Sequence, residues 1–469
     1  MRFPFFALSY IIKIQDWQVI CILEKMKYLR ITLPEDIEKA KLSGDLSRAL
    51  KLTDSRLADP KVPFVMKERL LLEKEILNRL SYEYPYDEEE ALAEIQKEIS
   101  DFSREELNAF MDSGDADWYM INGRRHLQDR FFASMKKVFP EIAKRAGEEV
   151  KAADLLNENV RAMKENGLAE WHVHLRHTIR IRDESFQPGR VLVHLPVPAE
   201  CMNMKDIRIL RTDPEGAYVS ALDHESRTVS FDVELKENRD FMVEYEYTSS
   251  VKYTDPDPSE AVIGKKYEII PEEPQLVETG LIRLLAEELA GDESNPIIKA
   301  RKFYDFVTEN VIYSYMREYI TLGQIPDYCA SRLRGDCGVQ ALLFIALCRS
   351  AGIPAKWQSG KYVTPDETGN HDWAMFYAEP WGWLFADCSF GGAAYRAGEY
   401  ERHDYYFGNL DPFRMAANNA LMKEFDPPKK QWRIDPYDNQ SGEAEYEDRG
   451  LRTDELIRNC EVIQMTKVR

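Results

Sequence analysis

Three residues, Cys337, His371 and Asp387, stand in an order and a setting suited to nucleophilic chemistry. From Val339 to Cys348 only Gln340 is strongly polar, and such all-round hydrophobicity is expected of a helix buried inside a domain. Gly335 and Asp336 precede that helix as start signals. Gly352 and Pro354 close it, because glycine takes the left-handed cap and proline cannot continue the ladder. Cys337 therefore falls in the first turn, where unpaired N–H groups and the positive end of the helix dipole favour a thiolate. A thiolate nucleophile needs a base, and the base needs an orienting group. His371 opens the stretch 371–377, which reads as a strand, and Asp387 lies near the end of the next one, 383–389. Antiparallel pairing of the two would bring the imidazole beside the carboxylate.

The elements around these residues carry a resemblance. The run GDCGVQALLFIALCRSAGIPAKWQSG, followed by HDWAMFY and WLFADCS, resembles the three core motifs of the transglutaminase-like superfamily of papain-like cysteine enzymes. The resemblance spans roughly residues 275–425, with motif identity confined to 335–389. It implies a cysteine helix packed on an antiparallel sheet, with Cys337 as nucleophile, His371 as general base and later acid, and Asp387 as the group that orients the imidazole. The chain departs from the pattern at Met375, where many relatives have glutamate, and at Gly338, directly after the cysteine. Both departures leave acceptor and donor specificity open.

Competing readings of the same residue types fit less well. Cys329, Cys337 and Cys388 with His371 match no structural zinc spacing. His172 and His174 share one face of a strand while His177 takes the other, so the three do not converge on a metal. Trp357, Trp373, Trp381 and Trp383 surround the triad in sequence; core and rim packing of a small sheet explains them better than the wall of an amine channel.

Sixty-two basic against 82 acidic residues give a formal charge of -20, which disfavours nucleic acid and anionic membrane as partners. The best basic patch, Arg124 to His126 with Lys136, Lys137, Lys144 and Arg145, is interleaved with acids and reads as a solvated helix face. Seven cysteines, an odd number without a Cys-x-x-Cys pair, point to free thiols in a reducing, cytoplasmic compartment.

A chain of 469 residues that is 44% apolar has room for several cores. Residues 1–25 read as a mis-assigned start or a disordered leader, with Met26 as the natural first residue. Residues 26–168 show helical periodicity, and 169–256 alternate as an antiparallel β-sandwich does. Residues 257–425 hold the transglutaminase-like core, and 426–469 form an extension with a final strand at 460–465, its acidic run 443–448 open to being mobile. The expected fold is thus α+β and multidomain. The expected function is cysteine-dependent acyl transfer at peptide or carboxamide bonds, hydrolytic in outcome, with a peptide or protein substrate and no cofactor or metal. A protein-glutamine amine transferase and a catalytically silent binding scaffold are the alternatives. The backbone N–H of Cys337 supplies one oxyanion donor, and Gln324 or Tyr328 is the candidate second. The sequence carries no oligomeric signal.

Overall fold

Period-two alternation builds the middle of the chain. In the computed structural model, which describes residues 22–148, 153–269 and 274–469, Leu168–Ile181 is a long strand. It pairs on one side with Asp240–Lys252 and on the other with the C-terminal Leu456–Lys467. Met204–Asp213 completes this four-stranded antiparallel sheet. A second sheet runs in the order Glu443–Tyr446, Gly189–Pro196, Thr228–Leu235, Tyr218–Val219. Val173, Leu175 and Ile179 from the first sheet are buried against Val191, Val193 and Phe231 from the second.

Each layer of the sandwich therefore takes one strand from the tail. The run at 443–448, open to mobility on composition alone, contains a buried strand because its acids have partners. Glu443 accepts from Lys429 Nζ at 2.8 Å and from Arg433 Nε at 3.1 Å, and all three side chains are buried. Buried charges persist when paired in this way, and removing one member would strand the others.

A five-stranded antiparallel sheet forms the core that carries the site. Its order is Phe407–Gly408, Gly382–Ala386, Thr368–Ala378, Ala355–Val363, Arg414–Asn418. Ala374 and Phe376 pack with Leu342 and Leu343 of the helix Cys337–Ser350 on one face. The alternate side chains, Trp373 and Met375, pack with Tyr245 and Tyr247 of the sandwich on the other. The sheet is thus the middle layer between the cysteine helix and the sandwich.

The N-terminal block is mainly helical, with its longest helix at Phe64–Glu83. Leu70, Leu77 and Leu80 of that helix share a hydrophobic core with Ile320, Leu322 and the cysteine helix. Arg79 ties the same helix to the tail, donating to the carbonyls of Arg433 at 2.7 Å and Ile434 at 2.8 Å. Within this block Arg124–Leu127 is the central strand of a small sheet with Tyr86–Asp87 and Trp118–Ile121, not a helix face. Asn122 and Gly123 both have positive φ, 49° and 86°, and form the two-residue hairpin turn that an Asn-Gly pair favours. No helix among the described residues is long and apolar enough to cross a membrane. Residues 1–21 of the proposed leader lie outside the described residues.

Candidate active site

Cys337 is the first residue of its helix, as the start signals require. Asp336 caps it, its Oδ1 accepting from Val339 N at 3.0 Å and from the Tyr319 hydroxyl at 2.5 Å. Gly338 has a steric reason to be glycine. A Cβ there would stand 2.2 Å from the Tyr319 hydroxyl oxygen, 2.7 Å from the Trp357 ring and 2.9 Å from Asp372 Oδ2. Backbone, tyrosine and carboxylate thus close directly around the thiol.

The thiol is only 8% exposed, and Sγ–H donates to Asp372 Oδ2 at 3.2 Å. The other oxygen of Asp372 accepts from Gln440 Nε2, which also reaches Asp438 Oδ2 at 2.8 Å. Gln440 and Asp438 come from the tail as it crosses from the core sheet to the sandwich. Burial, then Asp372 and Asp336, push the Cys337 thiol well above its ordinary value, with Lys137 acting weakly the other way. That is the opposite of the dipole argument from the sequence, and the reason is local: two carboxyl groups and desolvation outweigh a helix terminus. Burial and the neighbouring Asp438 and Asp336 raise Asp372 as well, and burial lifts Asp336 to about 6.

His371 and Asp387 form the second half of the site. His371 Nε2 meets Asp387 Oδ2 at 2.7 Å, and Arg414 Nη2 reaches the same oxygen at 2.8 Å. Arg414 is fully buried and also donates to Asp411 Oδ1 at 2.9 Å. Burial alone would raise Asp387, but His371 and Arg414 outweigh it and hold the carboxyl down at about 2. An ionised carboxylate only accepts, so the shared proton sits on Nε2 and Nδ1 keeps its lone pair. Burial, helped by Arg414, lowers the His371 pKa despite Asp387, which keeps the ring neutral at neutral pH. Asp387 is not within a strand as read from the sequence. It is the N-cap of the next helix, Cys388–Arg396, its Oδ1 accepting from Phe390 N at 3.1 Å.

The structure thus joins His371 to Asp387 and joins Cys337 to Asp372, the residue beside His371. Asp372 meets Sγ of the cysteine helix, whereas the His371 ring lies 5.8 Å from that of Trp373 between centroids, and no hydrogen bond joins Sγ to the imidazole among the described residues. Gln324 and Tyr328 are occupied elsewhere: Gln324 donates to Pro274 O at 2.8 Å, and Tyr328 stacks against Arg317 and Arg332. Tyr319 is the upstream side chain that approaches the site. Trp357 and Trp373 are buried in the core, and Trp381 and Trp383 are half-buried. His172 and His174 face Glu246 and Glu244, His177 is buried, and no group of residues suited to a metal occurs among the described residues.

Four contributors escaped the sequence reading. Asp372 directly follows His371, but nothing in the motif marks it. Tyr319, Arg414 and Gln440 carry no local signal, since each reaches the site through tertiary packing.

Residues 283–388, a segment that includes Cys337, His371 and Asp387, match the family model of the Transglutaminase-like superfamily. No curated protein matches the chain. Among solved structures the chain is similar to a Cytophaga hutchinsonii protein provisionally described as a cysteine protease. Identity is 16% and the TM-score 0.41, over 64% of this chain and 91% of that one. It is also similar to the periplasmic domain of TgpA from Pseudomonas aeruginosa, at 14% identity and TM-score 0.25, over 53% of this chain and 96% of that one. A third structure, from Parabacteroides distasonis and provisionally described as a protease, is 14% identical with TM-score 0.22, over 44% of this chain and 42% of that one. At these identities and scores the likenesses say nothing of activity.

Proposed function

We propose that the chain is a cysteine-dependent acyl-transfer enzyme that hydrolyses peptide or carboxamide bonds in a reducing, cytoplasmic setting. The observation that carries this reading is the His371–Asp387 contact at 2.7 Å. An ionised, doubly anchored carboxylate fixes the tautomer of a neutral imidazole, within the segment that also places a cysteine at a helix start. In the reaction the thiol turns from its Asp372 contact to Nδ1 of His371, which takes up the proton, and Sγ attacks the carbonyl carbon. The backbone N–H of Cys337 receives the developing oxyanion. Collapse breaks the C–N bond, the imidazolium protonates the departing amine, and water then cleaves the thioester. The described cysteines, none of which is in a disulfide, support the reducing setting.

The test is a partition. The enzyme is incubated with a glutamine-containing peptide and a millimolar primary amine, and the products are weighed. Acid product is expected, and a majority of amine adduct would promote a crosslinking transferase.

A binding scaffold without turnover is the second reading, favoured by one observation: the thiol is buried and bonded to Asp372 rather than to an imidazole. Thiol labelling near neutral pH separates the two. Cys337 labelled faster than Cys460 supports an enzyme, whereas labelling no faster supports a scaffold.

A further inference from the structure

Beside the thiol lies a feature that the proposed chemistry does not use. The two-residue strand Ile312–Tyr313 runs parallel to Arg334–Gly335, with Tyr313 opposite Gly335, two residues before Cys337. Tyr313 and Tyr315 meet edge to face at 5.3 Å. Two cations from the N-terminal block rest on this pair. Arg130 Cζ lies 3.5 Å from the Tyr315 ring centroid, and Lys137 Nζ lies 4.0 Å from that of Tyr313. The intervening helix, Phe131–Val138, is fixed to the same loop by Ser134 Oγ, which accepts from Tyr315 N at 2.9 Å.

Both cations are exposed, and neither forms an ion pair among the described residues. Their neighbours differ. Lys136 pairs with Glu98 and Glu148, Arg145 with Glu106 and Asp101, Arg124 with Asp87 and Arg125 with Glu88. The charge of Lys137 bears on the Cys337 thiol and that of Arg130 on Asp336, the residue before Cys337, and on Tyr313. In a chain of net charge -20, two cations that form no ion pair among the described residues rest on aromatic faces near the nucleophile, with Asp129 and Asp336 as the acids that Arg130 faces.

We infer that Arg130 and Lys137 form a subsite for a carboxylate of the substrate, so that the favoured substrate is an acidic peptide with a Glu or Asp side chain flanking the scissile bond. The inference deepens the proposed acyl-transfer reading and rests on it. The acids nearest the thiol are already engaged: Asp372 is buried and bonded to Sγ and to Gln440, and Asp336 is occupied by Tyr319 and Val339.

Alkylation of the full chain tests the subsite without turnover. Iodoacetate and iodoacetamide require the same thiolate and differ chiefly in charge, so the ratio of their rates at Cys337, read by peptide mass spectrometry, isolates the local field. At low salt the ratio is expected to be about fivefold higher at Cys337 than at Cys460, from two exposed attractions of the usual size. In the double variant Arg130→Gln, Lys137→Gln it should fall to the Cys460 value. The control Lys144→Gln, an exposed lysine of the following helix, should leave it unaltered. The charge-retaining Arg130→Lys should keep most of the preference, which separates charge from a folding defect. Equal ratios in the wild type and the double variant would overturn the subsite. Its failure is distinct from that of the enzyme reading. A chain with the charge preference at Cys337 that cleaves no amide keeps the subsite, whereas one that cleaves glutamate- and glutamine-bearing peptides equally well keeps the enzyme and loses the subsite.

Discussion

At the scale of single residues, the site is a contest over one proton. Asp372 holds the Sγ–H, and in the proposed reaction His371, anchored through Nε2, is the acceptor through Nδ1. Replacing Asp372 by Asn exchanges the carboxyl group, whose charged form and hydrogen bond raise the thiol pKa, for an uncharged amide, so the thiol pKa should fall. Labelling of Cys337 across pH should therefore shift to lower pH in Asp372→Asn, and an unmoved or upward-shifted profile would contradict the assignment. His371→Ala should abolish turnover, while Asp387→Asn should leave a residue of activity, because the orienting group acts only through the ring. Arg414→Met would leave Asp387 and Asp411 without their shared cation, and about 3 kcal/mol of stability should be lost in denaturant titration. The depressed carboxyls give a pH signature with a definite sign. Asp387 and Glu443 are held down at about 2 against an ordinary 3.8 and 4.5. Their contribution is fully present above the ordinary range and is lost as pH falls through about 2, so the melting temperature should drop between pH 4 and pH 2.

At the scale of elements, the cysteine helix shows what local sequence determines. Its start at Cys337, its Asp336 cap and its close before Gly352 were all legible, because capping and all-round burial are written in contiguous residues. The strand Ala355–Val363 was equally legible. The helix start at Asp387 was not, because a carboxylate at a strand end and one at an N-cap look alike until the next turn is known. The sheet through Arg124–Leu127 is signalled only by the Asn122–Gly123 pair at its hairpin, because its strands are short and their basic residues fit a charged helix face equally well. Two substitutions test the start of the cysteine helix. Asp336→Ala removes the cap and the Tyr319 partner and should cost about 1–2 kcal/mol in denaturant titration. Gly338→Ala forces a methyl group into Tyr319, Trp357 and Asp372, and should lower activity well beyond its effect on melting temperature.

At the scale of the whole molecule, the tail is what sequence order concealed. It crosses beside the thiol with Asp438 and Gln440, then supplies one strand to each layer of a sandwich, pairing as Glu443 with His194 and as Leu456 with Ile181. Long-range pairing of this kind leaves no periodic trace beyond the strands themselves, which is why the sequence shows only an extension with a final strand. A chain ended after residue 425 should therefore lose the cooperative unfolding transition of the full chain, because two four-stranded sheets would each lack an edge strand. The central claim concerns a covalent event at one atom. The most direct measurement is the intact mass of the protein after brief incubation with an acidic glutamine-containing peptide and an acid quench. The account predicts an added mass equal to the acyl fragment, localised to Cys337, discharged by water on standing and absent in Cys337→Ala. A chain that releases product while carrying no acyl group at Cys337, or that carries it equally in Cys337→Ala, would contradict the account.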